Sequence, residues 1–357
     1  MIDFRYHVVS IVAVFLALTV GLVLGASFLS KYAVDELKVQ ITGLTTDKNN
    51  LQQANRSANT TLSQLDSYIG TTANSLVSGY LNGEYATVVQ ISGEDTGSTA
   101  AMLGLVGTAG ATVTSNITIN PSFTDPASAP MFTQLVTGFL PVGQTAAGST
   151  PAAQAVNLLA EALSAPAAIP DTGGQVTTPA SGMTLVEATA TLKAFAADGL
   201  IANTTLPTGA VRPNLALLVA PTAANTPDQN AIYISLAQAL RTDGAQPMVA
   251  GSAIGGSGGS AQPGGLIDAV LKNATASRQV ATVDNTNTTM GQVSVVFTLY
   301  QNVTPPASAG HFGIIGATDG LLPKLPVHPT PTPTGTATPG SGGATSPTGT
   351  GTPTTGP

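Results

Sequence analysis

Apolar residues change their period twice along this chain. From Val8 to Leu29 (VVSIVAVFLALTVGLVLGASFL) the run holds no charged residue. At about 1.5 Å rise per residue such a run makes a helix of roughly 33 Å, enough to cross a hydrocarbon core of about 30 Å. Lipid offers no partners for backbone N–H and C=O groups, so a helix is the natural state there. Gly21 and Gly25 form a GxxxG spacing. It suits close approach of a second helix, and equally the general abundance of small residues in membrane helices.

A heptad pattern follows. With Val34 at position a, the a series is Val34, Ile41, Lys48, Asn55, Leu62, Ile69 and Leu76, and the d series is Leu37, Leu44, Leu51, Ala58, Leu65 and Thr72. About six heptads in one register predict a coiled coil, so an interface is expected through Val34, Leu37, Ile41, Leu44, Lys48, Leu51, Asn55, Leu62, Leu65, Ile69 and Leu76. Lys48 and Asn55 weaken the seam while helping to fix register and oligomer number. Charges at e and g are sparse (Lys38, Asp47, Asp66), so ion pairs do little to choose a partner. Such a helix either joins another helix or lies along its own domain.

Gly79 and the Asn82-Gly83 pair predict the end of the rod. The period then alternates between strand and helix. Tyr85–Ser92 reads as a strand, Thr96–Gly107 as a helix, and Gly110–Ile119 as a second strand. This βαβ rhythm implies a parallel sheet covered by helices. Residues 121–170 look helical with turns, and Gly173–Gly182 is a polar loop. Leu185–Gly199 has helical spacing, and Leu215–Ala220 is a buried-type strand. Pro227–Arg241 reads as a helix, Pro247–Ala250 as a strand, and Pro263–Asn273 as a helix opened by its proline. Gln279–Val283 closes as a strand. Gly291–Gln301 (GQVSVVFTLYQ) suits helix or strand by propensity; the alternation favours helix. From Val327 onward the chain is Pro, Thr, Gly and Ser, too poor in apolar residues to fold, and PPII-like in part. The expected fold class is α/β. A cytoplasmic head spans 1–7, a transmembrane helix 8–29 and a coiled coil 30–78. An extracytoplasmic α/β domain spans 79–326, and a disordered tail 327–357.

Composition narrows the partners. The chain has 357 residues, 8% of them charged, and a net charge of −7. No basic patch is visible, so nucleic acid is not an expected partner. There is no Cys, which removes disulfides, thiolate nucleophiles and cysteine metal sites. Arg5 precedes the apolar run while Lys31 and Lys38 follow it, so charge does not set the orientation. A short head before a long apolar run is the arrangement of a signal anchor. It predicts a single-pass cell-membrane protein with a cytoplasmic N-terminus. Cleavage near Gly25-Ala26-Ser27 is the rival, but the run exceeds an ordinary signal core of about 7–15 residues.

Candidate chemistry is thin. His7, His311 and His328 are dispersed, and Met102, Met131, Met183, Met248 and Met290 form no MxxM or HxxxM cluster. Scattered methionine is ordinarily core filler, so no metal ligand is assigned. Gly251–Gly259 (GSAIGGSGG) sits between a strand and a helix, where amides can hold phosphate. It lacks the P-loop lysine and a clean dinucleotide fingerprint. Glu94, Asp95 and Asp284 follow strands, where ligands of parallel sheets tend to bind. No GxSxG is present.

Two segments carry a resemblance. MIDFRYHVVSIVAVFLALTVGLVLGASFLS with the heptads behind it, and Ala309–Pro323 (AGHFGIIGATDGLLP), resemble the opening and closing blocks of the actinobacterial MctB copper transporter family, which includes the SteB cell-division proteins. The resemblance covers about Met1 to Pro326. It implies an envelope protein, linked in one subgroup to copper efflux. In another subgroup it implies division, with a coiled coil pairing with a SteA-like membrane protein. No metal ligand or cofactor is carried over; copper enters by resemblance only. One apolar helix per chain forms no pore unless several chains assemble. The resulting expectation is a non-enzymatic, membrane-anchored envelope protein that forms a homo-oligomer or a hetero-coiled coil. The alternatives are a copper efflux channel or copper-binding component, and an α/β domain that binds a small ligand at its strand ends.

Overall fold

A computed structural model describes residues 4–141, 143–165, 182–205, 211–252, 262–305, 309–324 and 356, with the backbone alone for 27–33. Most of the polar loop from Gly173, most of the glycine-rich stretch and nearly all of the tail lie outside the described residues.

The apolar run and the heptads form one helix, α1 (Phe4–Val77), of 74 residues. It ends where glycine punctuation predicts. Gly79 and Gly83 take φ of +84° and +83°, a region that costs a side chain but not glycine.

The strands are β1 (Tyr85–Ile91), β2 (Thr112–Ile119), β3 (Ile201–Thr205), β4 (Leu215–Val219), β5 (Gln246–Ala250), β6 (Ala281–Val283) and β7 (His311–Phe312). They form one sheet in the order β3-β2-β1-β4-β5-β6-β7. All neighbouring pairs are parallel except β2 with β3. Chain direction across the sheet reverses at β1, the usual arrangement of doubly wound folds. The helices are α2 (Thr96–Thr108), α3 (Ala129–Phe139), α4 (Pro151–Ser164), α5 (Leu185–Ala197), α6 (Pro227–Thr242), α7 (Leu266–Lys272), α8 (Ala276–Gln279) and α9 (Thr289–Val303).

Both faces of the sheet are covered, which explains strands that read as continuous apolar runs. In β4, Leu215, Leu217 and Val219 join a core built with α2, α9 and the end of α1. Ala216 and Leu218 join the opposite core with α3 to α8. GQVSVVFTLYQ is helical and buried almost all round, as α9. Two expectations are corrected. Pro263 does not open a helix, because Gly265 is the N-cap of α7 and Gly264 turns at φ +89°. Strands β3 and β7 were not expected: IANTT is polar, and β7 has two residues.

The rod is fixed to this domain by a stripe one residue off the heptad seam. Ala73, Val77 and Tyr80 are buried, with Asp66 and Ile69 half-buried. Tyr80 meets Phe297 and Tyr300 edge-on, with centroids 5.2 and 5.4 Å apart. Burying Val77 alone contributes roughly 1.5–3 kcal/mol. At the upper end of this contact the carboxylate of Asp66 accepts the first-turn amide of α9 at Thr289 (2.7 Å) and the Thr289 hydroxyl (3.2 Å). That amide is one of the donors a helix start leaves without an internal partner. Asp66→Ala should cost about 1 kcal/mol, the ordinary loss of a helix cap. Hydrogen exchange at residues 289–292 should then accelerate several-fold, with β2 unchanged. Equal acceleration in both regions would mean that Asp66 acts on global stability only.

Candidate assembly surface and strand-end loops

The heptad seam lies open along the rod. Leu44 is 75% and Leu51 71% exposed; Val34, Leu37, Ile41, Leu62, Leu65 and Leu76 are exposed as well. Lys48 and Asn55 are exposed between them, and Asn55 Oδ1 accepts from Asn59 Nδ2 (2.8 Å). Leu44, Asp47, Lys48, Leu51, Asn55 and Arg56 border one shallow groove. Ile69 is the exception: it is half-buried, on the stripe that faces the chain's own domain. Ten of the eleven seam residues are therefore exposed in the single chain. Within the span Phe4–Ala26, long and apolar enough to cross a membrane, Gly21 and Gly25 face open space.

The strand-end carboxylates serve the fold. Asp95 N-caps α2, accepting from the Gly97 and Ser98 amides and the Ser98 hydroxyl. The Ser98 side chain leads in holding its carboxyl below the usual range. Glu94 accepts from the Thr99 hydroxyl (2.6 Å). The crevice where chain direction reverses, between β1 and β4, is stitched shut: the Gly93 carbonyl accepts both the amide and the hydroxyl of Thr222.

Asp284, buried to 1%, clamps the closing block. Burial pushes its carboxyl up, against the pull of the Ile314 and Ile315 amides, which donate to it at 2.6 and 2.7 Å. Gly313, at φ +141°, leaves no room for a side chain between this carboxylate and the backbone. Asp319 accepts the His311 amide (2.8 Å). The segment that resembles a family motif is thus the latch that adds β7 to the sheet edge.

His311 is engaged at both ring nitrogens. Nε2 lies 2.7 Å from the Ser277 carbonyl, and Nδ1 lies 3.0 Å from the Thr282 hydroxyl. Only an Nε2–H can donate to the Ser277 carbonyl; in the neutral imidazole that leaves Nδ1 to accept from Thr282. Met102, Met183 and Met248 are fully buried in the two cores. Among the described residues no group of three His, Cys, Asp or Glu side chains could hold a metal.

The family comparison decides membership. Residues 1–323 match the family described as "Copper transport outer membrane protein, MctB". The chain belongs to the MctB family. Its relatives include the copper transporter MctB of Mycobacterium bovis and that of Mycobacterium tuberculosis, each 26% identical over 325 residues. The alignment covers 90% of this chain and 98% of each relative. The MctB match therefore runs through anchor, rod, domain and latch, and stops before the Pro/Thr tail. The sheet of this member is open, with helices on both faces, unlike a lipid-facing barrel.

Asp243, at the C-cap of α6, was missed from sequence; nothing in its neighbourhood pattern marks it. Burial first, then Glu161, pushes its carboxyl up to about 6, with Arg212 pulling the other way. A raised acid holds its proton more tightly in the folded state. Its stabilisation is complete below the unfolded value of about 4 and is lost as pH rises through 6. Asp243→Asn should remove that loss, raising stability at pH 7 by about 1 kcal/mol after discounting for partial exposure. Thermal melts between pH 4 and 7 should show a shallower decline in the variant; parallel curves would contradict the assignment.

Proposed function

We propose that this MctB-family chain is a non-enzymatic cell-envelope protein, anchored by Phe4–Ala26 with its N-terminus in the cytoplasm and its domain outside. It works by assembling through its rod, with a second copy or with the heptad helix of a SteA-like membrane protein, in envelope or division organisation. One observation carries this reading. The a and d residues form an apolar stripe that the chain's own domain leaves uncovered. A polar solvent penalises such a stripe, and a partner helix relieves the penalty. The absence of Cys makes the test clean, because any introduced cysteine reports alone. Ile41→Cys should yield disulfide-linked dimers in intact membranes, or capture of a partner protein in pull-downs. Adding Leu44→Asp and Leu51→Asp should weaken either association at least a hundredfold, since two charges would enter a dry seam. Crosslinking and capture that survive both aspartates would refute the reading.

Copper supports a second reading, favoured by the family description and by the relatives' shared name. Here the chain is a copper efflux channel or copper-binding component. A pore would need several membrane helices, which rod assembly would gather. Under this reading a deletion strain is copper-sensitive, and Leu44→Asp with Leu51→Asp fails to restore resistance. Wild-type copper tolerance on deletion, with no Cu(I) bound by the purified chain, would remove it.

A further inference from the structure

The edge of the sheet where the strands begin holds a small, partly open polar cavity that the heptad seam does not use. It measures about 30 Å³ and is lined by Arg241, Gln246, Pro247, Arg278, Gln279, Asn302 and Ala309. That volume holds about two waters, or the core of one small tetrahedral ion. Asn302 is 3% exposed, and both its side-chain nitrogen and its side-chain oxygen lack partners among the described residues. A buried amide left so costs roughly 1–3 kcal/mol per unmade bond, which points to an occupant.

The charges point the same way. Arg241 spends one nitrogen on Gln246 Oε1 (2.8 Å) and on the Gln279 carbonyl (3.0 Å), which answers the helix end beside it. The side chain of exposed Arg278 has no hydrogen-bonding or ion-pair partner among the described residues. Among the described residues no carboxylate lines the cavity. In a chain of net charge −7 with 11 Lys and Arg, two arginines lining one cavity without an acid are a local feature, not general basicity. Guanidinium forks match the oxygens of compact oxyanions.

Asn302 adds selectivity. Its –NH2 donates to an anionic oxygen, but its carbonyl oxygen needs a donor. A fully deprotonated oxyanion leaves that oxygen facing negative charge. A phosphate that keeps one P–OH satisfies both halves of the amide. We propose that this cavity binds inorganic phosphate, held by Arg241 and Arg278 and recognised as protonated by Asn302. The rod excludes one source. Asp66 meets the start of α9, beside the strand C-terminal ends, and α1 then runs down to the strand starts at Glu84 and Thr112. The cavity therefore lies on the side of the domain away from the anchoring bilayer, and a headgroup of that bilayer does not reach it.

The test is calorimetric titration of the full-length chain in detergent at pH 7 and constant ionic strength, with sodium phosphate and, separately, sodium sulfate. Sulfate has the same shape and no proton at this pH. Phosphate should bind saturably and at least tenfold more tightly than sulfate. Arg278→Gln, on the surface, should weaken phosphate at least tenfold without lowering the phosphate-free Tm. Asn302→Leu, provided it melts cooperatively, should bring the two anions to within tenfold of each other. No saturable phosphate binding, a sulfate affinity within tenfold of phosphate in the parent, or an unchanged affinity in Arg278→Gln would each overturn the proposal and leave a water-filled cavity.

Discussion

A helix of 74 residues, long and apolar enough over Phe4–Ala26 to cross a membrane, has no reason to hold a fixed direction against a globular domain unless something grips its end. Here the grip is a short stripe on α1, packed along α9 and closed at its upper end by the Asp66 carboxylate on the Thr289 amide. Apolar burial supplies most of the adhesion, and the cap sets the axial position. The docking stripe is rotated from the heptad seam, so packing on the domain leaves most of the seam exposed. Only Ile69 is shared between them.

This separation explains an otherwise uneconomical surface. Exposed leucines along forty residues are a liability for a monomer, since contiguous apolar patches attract partners. The domain could have covered them by folding the rod back, yet it contacts only the last turns. The Ala309–Pro323 latch works in the same spirit at the other edge. It adds a two-residue strand through backbone bonds and one buried carboxylate, with little apolar area of its own.

Most of the architecture was legible because it rests on period. The anchor, the heptads, the glycine stop and the alternation of strands with helices all follow from where apolar residues recur. VSVVFTLY in α9 shows the limit. β-Branched residues favour a strand locally, and burial on nearly all sides overrides that preference. Strand β3 was invisible because Asn and Thr carry no apolar alternation, and its edge position requires none. The strand-end acids were legible as positions but not as roles. Asp95 and Asp284 look alike in sequence, and only tertiary structure shows that one caps a helix and the other holds the closing block. Asp66 read as a lone heptad charge, whereas its partner lies 223 residues away. The pairing of Arg241 with Arg278 and Asn302 joins three helix ends, a relation that no local spacing encodes.

The direction of the rod carries a consequence for distance. From Ala26 to Asp66 an unbroken helix advances about 60 Å, at about 1.5 Å per residue. Adding or removing seven residues would move the domain by roughly 10 Å while turning it by only about 20°. The segment is therefore a ruler, setting how far the domain stands from the apolar span Phe4–Ala26.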